Sequence, residues 1–182
     1  MRALLLLAIL CAACQDRGVA PTRVAAADSA DQVYDSMTFD ITRDGVKTSR
    51  VQAESAWVYQ ARQVADLKNM TVTMYDSTGA AISTTTADKG VYGMREQNLD
   101  ARGHVVAHGV EGRVLHTEHL IYDRARNLIT SDSAFTSTSP KANLSGVSFE
   151  ADPGFKHVDI LRPKGRGKKG FVIPGQTPGG KS

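Results

Sequence analysis

The sequence predicts an all-β fold, a single twisted sandwich or barrel-like roll of repeated antiparallel strands, and three observations carry that expectation. From about residue 31 to residue 161, Thr-, Val- and Tyr-rich segments alternate apolar and polar residues, as half-buried strands do. No segment sustains the 3.6-residue apolar period of a helix facing a core. The strands also repeat: a turn glycine, a short strand and a small or acidic step ending in Tyr occur as GAAISTTTADKGVY and return as GRVLHTEHLIY, with a looser copy in DGVKTSRVQAESAWVY. Aligning Ala53, Ala87 and Thr117 spaces these copies by 34 and 30 residues. Such a period marks a two-strand unit that cannot cover its own apolar face and must stack on its neighbours.

Taken in order, the chain opens with a processing signal over 1–13, in which Arg2 precedes the apolar run 3–13. Eleven residues are too few to cross a bilayer, which takes about 20. The run ends in Ala12-Ala13-Cys14, which resembles the junction of a bacterial lipoprotein signal, so Cys14 is expected to be the lipidated N-terminus; the other reading is an ordinary secretory signal with a free thiol nearby. Residues 14–30 are polar and Ala-rich and read as a flexible tether. With Cys14 acylated, no thiol is left for a disulfide or a thiolate metal site.

Strands are expected at 37–42, 49–59, 64–75, 81–86, 90–95, 98–108, 113–122, 127–137, 144–150 and 158–161, separated by turns such as Asp44-Gly45, Ser77-Thr78-Gly79 and Gln97-Asn98. Together, 31–161 form one domain. Residues 162–182 carry six Lys and Arg with no acid, and are expected to be a disordered basic tail. Residues 14–161 hold 15 Lys and Arg against 19 Asp and Glu, a net of −4. The positive charge of the whole chain therefore belongs to the tail, and a nucleic-acid partner is not expected.

Alternation assigns an inner face. Met70, Val72 and Met74 share one side of a strand, as do Leu99, Ala101 and Val105. Met70, Val72, Met74, Leu99, Val105, Leu115 and Ile121 are therefore expected to line the interior. On periodicity alone that interior is either a filled core or a groove open to lipid. Trp57 is expected to pack inside.

Catalytic constellations were sought. His104, His108, His116 and His119 cluster, but with no His-x-His pair. They read as solvent-facing strand residues, and no metal is expected. There is no Gly-x-Ser-x-Gly elbow and no phosphate-cradling glycine loop. Neither an enzymatic activity nor a cofactor is expected.

The ordered series Ala53-x-x-Ala56…Tyr59, Gly79…Ala87-Asp88-x-Gly90-x-Tyr92, Asn98-Leu99-x-Ala101-x-Gly103-x-Val105, Gly112…Leu115-x-Thr117-x-x-Leu120-x-Tyr122-Asp123, Ile129-x-Ser131-Asp132 and Leu144-x-Gly146 resembles the LptC family, and more loosely its LptA/OstA-like relatives. The resemblance spans about 33–161. It implies an open β-jellyroll that takes the acyl chains of lipopolysaccharide from an inner-membrane ABC transporter and passes the lipid to an LptA-like periplasmic bridge protein, without catalysis of its own. Partner contacts in the family run edge to edge, the general mode of strand addition. Carried over, Phe39 and Ile41 would face the transporter, and Val147, Phe149, Val158 and Ile160 the bridge. The resemblance implies a periplasmic place at the inner membrane. The lipid anchor would stand where relatives keep a membrane helix, and Gln15 after the cysteine leaves the outer membrane open. A non-transporting envelope lipoprotein with a filled β-repeat core is the other reading of the same residues.

Overall fold

The structure, a computed structural model, describes residues 29–161 and the backbone of 164–167. The signal segment, Cys14, most of the tether and most of the basic tail lie outside the described residues.

Twelve strands form one antiparallel sheet: β1 Gln32–Arg43, β2 Val46–Tyr59, β3 Val64–Tyr75, β4 Ala81–Gly93, β5 Leu99–His108, β6 Val114–Asp123, β7 Leu128–Ser131, β8 Phe135–Thr138, β9 Ala142–Gly146, β10 Ser148–Ala151, β11 Val158–Leu161 and β12 Lys164–Gly167. The described residues contain no α-helix, and a single 3₁₀ turn, Val110–Gly112, joins β5 to β6. Strands β1 to β7 pair in chain order, then β10 and β11. The sheet forks at β6, whose residues Ile121–Asp123 pair with β7 while Val114–Thr117 pair with β8. Strand β8 continues to β9, and β9 to β12. The strand region therefore runs past residue 161, because Lys164–Gly167 adds to β9.

The long strands share an interruption that decides the architecture. Ser36, Glu54, Asn69 and Asp88 are skipped in the ladders of their neighbours, and the register slips at Gly103-His104 opposite Glu118. Ser36, Asn69, Gly103 and His104 have positive φ, the local geometry of a bulge that turns a strand. These positions line up across β1 to β6 as one crease.

The buried positions change phase at the crease. Burial runs Ala53 then Ala56 in β2, Leu67 then Met70 in β3, Ala87 then Gly90 in β4, and Thr117 then Leu120 in β6. A gap of three in place of two keeps the apolar side inward on both sides of the bend. In β5 the crease takes one residue more, so Ala101 and Val105 stay in phase. Small residues sit where the sheet folds tightest: a Cβ on Gly90 would overlap the Met70 sulfur. The repeated motifs of the sequence are thus the crease itself, and their two-strand period is the spacing of β2, β4 and β6.

The crease divides each long strand between two leaves whose inner faces meet. Phe39 on one leaf packs on Tyr92 of the other, with ring centroids 5.1 Å apart. Phe135 of β8 meets Phe149 of β10 edge-on at 5.0 Å. Between the leaves lie Val51, Met70, Val105, Leu115, Leu120 and Ile129, each 2% exposed or less. Opposite the crease, the free rims of the leaves approach each other along a seam with no strand ladder across it.

Candidate functional site

The seam is closed differently along its length. Near β10 and β11 the intervening loop 152–157 folds inward. Phe155 is buried at 1% exposure and stacks toward Phe149 at 6.5 Å. The backbone holds Phe155 at φ +54, a left-handed geometry uncommon for a bulky residue. The loop bonds to the opposite rim: Ser83 Oγ donates to the Pro153 carbonyl at 2.5 Å and Val110 N–H to the Gly154 carbonyl at 3.0 Å.

Farther along, the rims part around a cleft of about 330 Å³ whose walls include Ile41, Ser49, Met74, Ile82, Gln97 and Tyr122. Across its mouth Arg124 Nη2 donates to the Thr42 carbonyl at 3.3 Å, and Pro153 and Gly154 of the clamping loop form another of its walls. The backbone N–H of Arg124 is anchored on Asn98 Oδ1 at 2.9 Å, which fixes the β6–β7 turn that carries it. Burial pushes the Tyr122 hydroxyl's pKa up, opposed by the positive charges of Arg43 and Arg124 beside it. Burial likewise raises Tyr92, opposed by Arg124. An apolar interior reached past a cationic rim can receive an amphiphile, chains inward and head outward.

Six of the seven expected interior residues face between the leaves: Met70, Val72, Met74, Leu99, Val105 and Leu115 are all buried. Ile121 is not among them. The phase change at Glu118 turns Leu120 and Tyr122 inward, so Ile121 lies on the outer face beside Thr130 and Glu150. The same parity puts Trp57 outside. It lies between inward Ala56 and Val58, half-buried in a shallow outer groove with Leu67 and Val91. Phe39 and Ile41 do lie on an edge strand, β1, and Val158 and Ile160 on β11, with their side chains packed against the core. Val147 is exposed between β9 and β10. Phe149 is no edge residue, since β10 has β7 and β11 on its two sides and the ring is core.

The histidines divide as well. His104 sits exposed on the crease with Nδ1 2.6 Å from Asp88 Oδ2, and this hydrogen-bonded carboxylate raises its pKa. His119, expected to face solvent, is buried between Asp132 (2.8 Å from Nδ1) and Asp100 (3.1 Å from Nε2). It pins the fork, where Ser131 Oγ donates to the His119 carbonyl at 2.7 Å. Among the described residues, no three His, Cys, Asp or Glu side chains converge to hold a metal ion.

With the two leaves and the seam in place, comparison with protein families becomes decisive. The model of the family described as "Lipopolysaccharide-assembly, LptC-related" matches residues 2–162. The chain belongs to the LptC family. It is therefore a component of lipopolysaccharide transport, acting on the periplasmic side of the envelope. No curated protein matches the sequence. In LptC-family terms, the small-residue steps that carried the resemblance are the crease, and the face that the crease turns inward is the one facing the seam.

Proposed function

We propose that this LptC-family chain accepts lipopolysaccharide from an inner-membrane ABC transporter and hands it to an LptA-like periplasmic bridge, with the acyl chains entering between the leaves through the seam. The observation that carries the reading is the unequal closure of that seam, which is packed with aromatic rings at one end and opens into a cleft at the other, where a filled scaffold would have continuous packing. Most of the interior is tightly packed, so acceptance of acyl chains requires the rims to separate at the cleft. Met74, with its unbranched and adaptable side chain, lines that opening. The outer sides of β1 and β11, which pair with no other strand among the described residues, suit strand addition by the transporter and the bridge respectively. Lipidation of Cys14 would tether the domain to a membrane.

Photocrosslinking tests the reading. A benzophenone side chain placed at Val72 or Met74 should capture lipopolysaccharide in cells. Failure at both positions in a folded protein favours the filled-core scaffold instead.

A further inference from the structure

The cleft has a polar side that the acyl-chain reading does not use. Arg43 ends β1 and Arg124 sits in the β6–β7 turn, so arginines from opposite rims of the seam line one cleft together with Tyr122. Among the described residues neither has a carboxylate partner. By contrast Arg50, Lys68, Arg95, Arg102 and Lys141 each pair with one. Two arginines without a carboxylate partner among the described residues thus line one cleft, in a domain of net negative charge.

The carboxylates near the cleft make no ion pair with these arginines; each accepts hydrogen bonds within its own turn. Asp76 Oδ1 accepts from Thr78 N–H, Thr78 Oγ1 and Ala80 N–H at 2.8, 2.6 and 3.0 Å. Asp152 accepts from Gly154 N–H at 2.9 Å and His157 N–H at 2.5 Å. Asp123, next to Tyr122, accepts from Arg126 N–H at 3.0 Å.

A second observation points to a ligand with hydroxyl groups. Gln97, in the same cleft, has its side-chain oxygen enclosed and receives no hydrogen bond from the described residues. An enclosed acceptor without a donor is costly and uncommon. Tyr122 offers a further hydroxyl there, held only by a long 3.4 Å bond to Asn127 Oδ1.

We propose that the seam cleft is a receptor for the phosphorylated sugar headgroup of a glycolipid. Arg43 and Arg124 take the phosphate, since a guanidinium offers two parallel donors matched to phosphate oxygens. Gln97 and Tyr122 take sugar hydroxyls, and Ile41, Met74 and Ile82 receive the first methylenes of the chains. The assignment rests on the lipid-transfer reading and names the part of the lipid that the cleft recognises.

The test titrates the purified full chain with diphosphoryl lipid A, with the same glycolipid stripped of phosphate, and with phosphatidylglycerol. Wild type should bind the phosphorylated glycolipid about tenfold or more tightly than the stripped form, the loss expected when charge-assisted bonds disappear. Arg43→Ala combined with Arg124→Ala should abolish that preference, while Arg50→Ala keeps it. Arg43→Glu, which breaks no hydrogen bond among the described residues, should abolish it too, should the double variant fold poorly. Binding of both glycolipids with equal affinity, or a preference that survives in Arg43→Glu, overturns the headgroup site and leaves lipid transfer standing. Phosphatidylglycerol binding as tightly as diphosphoryl lipid A overturns the assignment of sugar hydroxyls to Gln97 and Tyr122. Failure of wild type to bind any of the three overturns the lipid-transfer reading itself.

Discussion

The two ends of the seam are built from different materials. At one end three phenylalanines, Phe135, Phe149 and Phe155, interlock the leaves, and loop 152–157 bonds to the opposite rim. At the other, Ile41, Met74, Ser49 and Tyr122 face a cleft, and Arg124 reaches across its mouth to the Thr42 carbonyl. Aromatic pairs fix a geometry, adding about 0.5–1.5 kcal/mol beyond the area they bury. Methionine and short hydroxyl side chains fill space without fixing it. The lesson is mechanical: the proposed lipid entry requires the leaves to hinge at the crease and part at the cleft, the end that lacks the aromatic clamp.

That contrast can be broken most severely from the clamped end. Val105 is 1% exposed, and Val105→Asp buries an unpaired charge at a cost of several kcal/mol. The variant should be unfolded by circular dichroism at room temperature. A cooperative melt near that of wild type would mean the interior is wet there.

Phe149→Ala removes the ring shared by both aromatic contacts and should cost about 3–5 kcal/mol, lowering the thermal midpoint by roughly 10 °C or more. Its counterpart at the cleft, Met74→Ala, should cost less than that, nearer the ~2 kcal/mol lower limit for a buried long side chain, because one side of Met74 already borders open space. Equal losses in the two melts would remove the distinction between clamp and mouth.

Alternation along the strands was legible in the sequence, and with it the all-β class, most turns and six of seven interior residues. The crease was also present, as the three-residue gaps Ala53-x-x-Ala56 and Ala87-x-x-Gly90, but a strict period of two carried across it put Ile121 on the wrong face and Trp57 inside. Breaks between paired partners were not readable. Segments 127–137 and 144–150 each look like one strand, yet each splits because its halves belong to different leaves. Phe155 was hidden by the turn-like Asp152-Pro153-Gly154 ahead of it. The pairing of Arg43 with Arg124 depends on rims that approach only when the sheet folds, which no local pattern records.

A smaller effect probes the crease. The bond from His104 to Asp88 favours imidazolium, so the folded-state pKa of His104 lies above its ordinary value of 6.5. The stabilisation is complete below that ordinary value and is lost as pH rises through the raised folded value. The difference in thermal midpoint between wild type and Asp88→Asn should therefore be larger at pH 5.5 than at pH 8.5. A difference that does not change with pH would show that this pair does not stabilise the bend.

The central claim is that the leaves separate at the cleft and not at the aromatic clamp when lipid enters. Distances between spin labels measure this directly, with Cys11→Ser and Cys14→Ser removing the native thiols. Labels at Asp44→Cys and Arg126→Cys flank the cleft, and labels at Glu111→Cys and Lys156→Cys flank the clamp. On addition of lipopolysaccharide the first distance should lengthen and the second stay as it was. A cleft distance unchanged by lipid, or a clamp that opens as far as the cleft, would contradict the account.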